Sequence, residues 1–367
     1  MSKKLIALTF CSGIVLTGCN QAELELLEPI QLTSNLEAVD ITTTGNIEIF
    51  AGVDEAPIKI KFDQKGYVNQ LTLDSEINTT LNADFVPFID AQIKNMQETF
   101  DFMLALEQAT PEYQAQLEEQ FDTQIEDLNK FKELAISFKD IDLNYVTYID
   151  DNKIYYSINP FKDIVEAIEV PMPIEFETLD ADFVEVSDGL NLLFDMSESK
   201  QLQLYEELDL MLLKDIVLGD ALQKQDNKII ITLDNQQMVD ILVQIADNVV
   251  QNLEIFNEIF DLSLLPEEIV EAKTTYELLK IEYLDMLDEM IDTSLKYMYS
   301  EQDNVYTEEV DITTKVMGFG AKIDFKADMK LAPTRDIIFD QTSIPIDEFM
   351  NILSNGIYES YELEIIK

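Results

Sequence analysis

The run of oxygen ligands that most invites a metal is Asp140, Asp142 and Asn144, with Asp150 and Asp151 following. The spacing imitates positions one, three, five and twelve of an EF-hand calcium loop. Such a loop needs glycine at its sixth position and a bidentate glutamate at its twelfth. Here those places hold Tyr145 and Asp151. The intervening residues alternate polar and apolar, so the sequence predicts a strand with its acids on one solvent face, and no metal site. Paired carboxylates could also hydrolyse a glycoside without an imidazole. With 73 Asp and Glu residues and no tryptophan to stack on sugar, no pair stands out. A carboxylate-based hydrolase therefore remains only an alternative.

The chain has no histidine. That removes Ser-His-Asp and Cys-His catalysis, which need an imidazole base, and it removes a histidine pH switch. Only ten glycines are present, and none forms a glycine-rich strand-to-helix loop that would cradle phosphates. The net charge is −49, with 24 Lys and Arg. A protein of that charge is no nucleic-acid binder working through a basic surface. Hydrophobic residues make up 47% of the chain, enough to fill a core. The expectation is a chain with no catalytic residue and no cofactor.

The elements that would hold any site begin after a targeting segment. Lys3 and Lys4 precede an apolar stretch over residues 5–16, too short to span a membrane as a helix. It ends in Leu16-Thr17-Gly18-Cys19. This tetrapeptide resembles the lipobox of bacterial lipoproteins. The resemblance implies a signal peptide over residues 1–18, cleavage after Gly18, lipidation of the Cys19 thiol and an acylated (palmitate-type) amino terminus. Two acyl chains give a stable anchor where one gives marginal binding. The only other cysteine, Cys11, leaves with the signal peptide, so no disulfide and no thiolate chemistry remain. The implied location is the extracytoplasmic face of the cell membrane, with residues 19–38 as a tether.

An internal repeat organises the body. Thr80-Leu81-Asn82 aligns with Thr232-Leu233-Asp234, and the same offset pairs Ile89 with Ile241, Gln92 with Gln244 and Ile93 with Ile245. Each copy then reaches a proline restart, at Pro111 and at Pro266. Apolar residues follow coiled-coil spacing, as in Val86, Ile89, Ile93, Met96, Phe100 and Met103. The rule continues through Val239, Leu242, Ala246 and Phe256, and through Tyr276, Tyr283, Met286 and Met290. A helix over residues 266–299 is expected. Alternating strands bracket each hairpin, at residues 58–62, 67–81, 140–145 and 153–158, and again at 305–316, 321–331 and 337–344. Pro171 and Pro173 mark the join.

The resulting expectation is an α+β fold. It has two copies of antiparallel strands plus a long antiparallel helical hairpin, each with a curved sheet packed on helices. Residues 39–170 form the first repeat and 171–367 the second, with an inserted helix near 201–223. The strand–helix–helix–strand order and the anchor resemble LolA/LppX-like lipoprotein carriers. That resemblance implies acyl chains held between sheet and helices. Met96, Phe100, Met103, Phe256, Tyr276, Tyr283, Met286 and Met290 would line such a hydrophobic site. The partners are then the membrane, through Cys19, and a lipid or other hydrophobic small molecule. The alternative is a structural or protein-interaction surface lipoprotein whose hairpins are spacers facing an envelope protein.

Overall fold

A computed structural model describes residues 29–30, 36–52, 56–70, 72, 74–105, 111–150, 153–168, 179–186, 216–260 and 262–352. The signal peptide, Cys19, the Pro171–Pro173 join and residues 201–215 of the expected inserted helix lie outside them.

Twelve strands make one mixed sheet. They are β1 (Ala38–Ala51), β2 (Ile58–Asn69), β3 (Ser75–Asp84), β4 (Leu143–Asp150), β5 (Lys153–Ser157) and β6 (Phe183–Val186), followed by β7 (Leu222–Gln225), β8 (Lys228–Leu233), β9 (Ile291–Gln302), β10 (Val305–Val316), β11 (Phe319–Leu331) and β12 (Ser343–Pro345). Their order is β12-β6-β5-β4-β3-β2-β1-β11-β10-β9-β8-β7. Among the described strands only β12 on β6 is a parallel pair. This corrects the expected fold class: a single large sheet replaces two sheet-and-hairpin bodies. The cause is β1, whose two edges pair β2 and β11 over almost their whole lengths and weld the halves together.

The helices are α1 (Val86–Ala105), α2 (Pro111–Phe138), α3 (Asn159–Ile168), α4 (Asn235–Gln251), α5 (Leu253–Phe260) and α6 (Pro266–Met290), and residues 346–352 are also helical. α1 and α2 connect β3 to β4, and α4 to α6 connect β8 to β9. On either side of β1 and β11 the same order recurs, β5-β4-β3-β2 and β10-β9-β8-β7. Asp234 caps α4: its carboxylate accepts from Gln237 N–H, and the Gln237 side chain accepts from Asp234 N–H. The first hairpin does not lie packed on the sheet as expected. Among the described residues of α1 and α2 only Ile89 and Ala135 are buried. A lone helix pair shields one stripe per helix, and the remaining faces stay wet.

Three further expectations are corrected. The helix from Pro266 ends at Met290, and β9 begins at once. Thr293, Leu295, Tyr297 and Tyr299 are buried while their neighbours are not, the period-two pattern of a half-buried strand. Residues 219–223 are a 3-10 turn running into β7, not helix. The expected strand over 337–344 shrinks to β12, because residues 332–342 instead cross the sheet as an irregular strap. Part of the segment expected as a tether packs on the body. Ile30 is 2% exposed in the main core, and the Tyr299 hydroxyl donates to Pro29 O at 3.2 Å.

Candidate apolar binding face

Residues opposite one another in antiparallel strands share a sheet face. On one face the sheet carries Lys59, Lys61 and Lys65 of β2 and Lys322, Asp324 and Lys326 of β11, with Glu48 between them. The other face is apolar. Its cross-strand rows run Ile60–Ile47–Ile323–Ile312–Leu295 and Phe62–Gly45–Phe325–Val310–Tyr297. Gly45 makes the second row possible. A Cβ there would stand 2.7 Å from both Phe62 Cζ and Phe325 Cβ, so the two phenylalanines occupy the room a side chain would take.

Burial along these rows is uneven. Leu295 and Tyr297 are 4% and 1% exposed, inside a core with Ile231 and Leu233 that Met238 and Ile241 of α4 pack against. Toward the centre, Ile312, Ile323, Ile47 and Ile60 are only half-buried, and Ile49 near the end of β1 is 37% exposed. The apolar face therefore continues past its cover, between the two helical connections.

A polar row crosses the same face one step deeper, as Thr79–Gln64–Thr43–Ala327–Glu308–Tyr299. The Gln64 amide donates to Thr79 Oγ1 at 3.3 Å, and the Tyr297 hydroxyl donates to Glu308 Oε1 at 3.2 Å. Among the described residues the buried Thr43 hydroxyl has no hydrogen-bond partner.

The eight residues expected to line a ligand site do not converge. Met96, Phe100 and Met103 lie on α1, Phe256 on α5, and Tyr276 and Met290 on α6. β3 and β8, which lead into the two sets, are six strand spacings apart, roughly 29 Å. Phe100 stacks on Phe121 of α2 with ring centroids 4.2 Å apart, so its seam is filled by the partner helix. The Tyr276 hydroxyl donates to Asp247 Oδ1 at 2.9 Å, and burial together with that bond raises its pKa far above the ordinary value. Lys280 clamps the same carboxylate at 2.6 and 2.7 Å. The side chains of Tyr283 and Met286 lie outside the described residues.

Polar residues at both ends of β4 also serve structure. Asn144 accepts from the Thr80 hydroxyl at 2.8 Å and donates to Asp142 O, and Asp150 accepts from Phe339 N–H at 2.9 Å. Asp151 lies outside the described residues. Among the described residues no three metal-ligating side chains converge, and no helix is long and apolar enough to cross a membrane. A cleft of about 140 Å³ beside α4, lined by Leu218, Leu233, Gln237 and Ile241, is small for an acyl chain.

Sequence reasoning missed the central apolar rows. Their signal is the alternation at residues 58–62 and 321–325, but which face it served depended on pairing partners far away in the chain. The chain matches no known family model, no curated protein and no solved structure.

Proposed function

We propose that the chain is a lipid-anchored extracytoplasmic protein, non-catalytic, that binds a hydrophobic ligand on the apolar face of its sheet. The anchor rests on Lys3, Lys4 and the Leu16–Cys19 tetrapeptide. The ligand reading rests on one observation: the row Ile60–Ile47–Ile323–Ile312 is apolar, continuous with the core, and only half-buried. Each half-covered isoleucine forgoes part of the ~1.5–3 kcal/mol that full burial brings. An acyl chain laid across the row would recover it. The anchor is tested by labelling cells with an alkynyl fatty acid. Label on the wild-type chain and none on Cys19→Ser supports it; an unlabelled wild type removes it.

A second reading is favoured by the first helical hairpin. Phe102 and Phe131 are 64% and 65% exposed there, on helices whose described residues bury only Ile89 and Ala135. In that reading the hairpin is an arm that meets an envelope protein. Phe102→Ser with Phe131→Ser would then abolish crosslinking to the partner and leave bound lipid unchanged.

A further inference from the structure

Three two-residue turns join antiparallel strands in the second half of the sheet: Asp226-Asn227, Asp303-Asn304 and Met317-Gly318. The first residue of each has positive φ, at 54°, 53° and 52°. Asn, Asp and Gly accept that conformation with little strain, and a long unbranched side chain does not gain from it. Two of the turns carry aspartate there. The third carries Met317, which is 69% exposed, flanked by Val316 at 44% and Phe319 at 59%. Turn chemistry and solvent both disfavour methionine at this position. Where a sequence breaks a local rule in this way, a function is the usual reason.

The tip is also held rigid. Met317 N–H donates to Met290 O at 2.9 Å, and Gly52 N–H donates to Gly318 O at 3.1 Å. The Phe319 ring lies against Gly52, where a Cβ would come within 2.8 Å of Cζ. Residues 316–320 contain no charge and no hydrogen-bonding side chain. The tip ends the strands that carry the apolar face, beside Ile49 and Ala321.

We propose that the β10–β11 turn inserts Val316, Met317 and Phe319 into the acyl region of a lipid bilayer. A convex tip of three side chains is too small for a stable protein interface, which takes roughly 800 Å² per partner. A fluid bilayer needs no matching shape. Cys19 is ten residues from Pro29, a reach of up to ~33–36 Å. Pro29 is held by Tyr299, which lies eight residues along β9 from the tip end at Ile291, about 27 Å. An anchor at Cys19 and the tip can thus meet the same membrane. The inference deepens the ligand reading, since the tip opens onto the apolar face, yet it is measured separately.

The chain has no tryptophan, so Phe319→Trp in the full chain reports on the tip alone. With phosphatidylcholine vesicles its emission shifts to the blue, and lipids brominated on their acyl chains quench it. Met317→Asn, which suits the turn, keeps the unfolding midpoint at or above that of the parent. It lowers the inserted fraction about tenfold. Solvent-like emission that brominated lipid does not quench overturns the inference, as does quenching that Met317→Asn leaves unchanged. Bound lipid recovered from a protein whose tip stays wet would sink the inference and leave the ligand reading standing. A quenched tip on a lipid-free protein would do the reverse.

Discussion

The Tyr67 hydroxyl holds Arg335 at both ends of one residue, accepting from its N–H at 2.9 Å and donating to its carbonyl at 3.3 Å. The guanidinium lies 4.3 Å over the same ring. This grip fixes the strap over residues 332–342 against the polar face of the sheet, and Phe339 fixes its far end by stacking on Tyr155 at 3.7 Å. Tyr67→Phe keeps the ring and loses both hydrogen bonds. It is expected to cost ~1–2 kcal/mol in urea unfolding and to make the strap a proteolysis site.

Gly45→Ala is expected to destabilise by about 1–3 kcal/mol, because the new methyl meets Asp324 O at 2.5 Å as well as the two phenylalanines. Phe62→Leu in the same chain should relieve part of the loss. The double-mutant cycle in urea measures that coupling.

Thr43→Val should stabilise the ligand-free protein. The hydroxyl is buried and unpartnered, and an unpaired polar group of this kind costs about 1–3 kcal/mol. A valine has the same shape without that cost. A higher urea midpoint checks it.

The clamp on Asp247 predicts an alkaline weakness. The Tyr276 pKa is raised in the folded state by burial and by its bond to Asp247. An unfolded tyrosine ionises near pH 10, so below that pH the stabilisation is complete, and it is lost as pH rises above it. Stability measured from about pH 9 to pH 11 should fall less steeply in Tyr276→Phe than in the parent. Asp247→Asn leaves Lys280 without its ion pair and should cost ~1–2 kcal/mol at neutral pH.

Much of this architecture was readable as local pattern. Residues 58–62 alternate as Ile-Lys-Ile-Lys-Phe and are strand, and Asp234 stops β8 and caps α4. Pro266 opens a helix. The end of that helix was not readable. Met286 and Met290 extend the three-four spacing into Ile291–Tyr299, where a period-two pattern also fits, and pairing with β8 and β10 decides for strand. The union of the halves was hidden for a related reason. It depends on Ile47 meeting Ile323, a contact that no local propensity encodes. The seam residues misled because Phe100 already has a partner in Phe121. A heptad stripe names a packing surface without saying what fills it.

The half-covered row around Ile47 and Ile323 is where we propose that a hydrophobic ligand sits. The most direct measurement is lipid extraction and mass spectrometry of the protein isolated from its own cells without detergent exchange, beside Ile47→Asp with Ile323→Asp. Near-stoichiometric, non-covalently bound lipid is expected on the wild type and is lost from the double variant. A folded wild type that carries no non-covalently bound lipid, or a double variant that keeps its cargo, would rule such a ligand out.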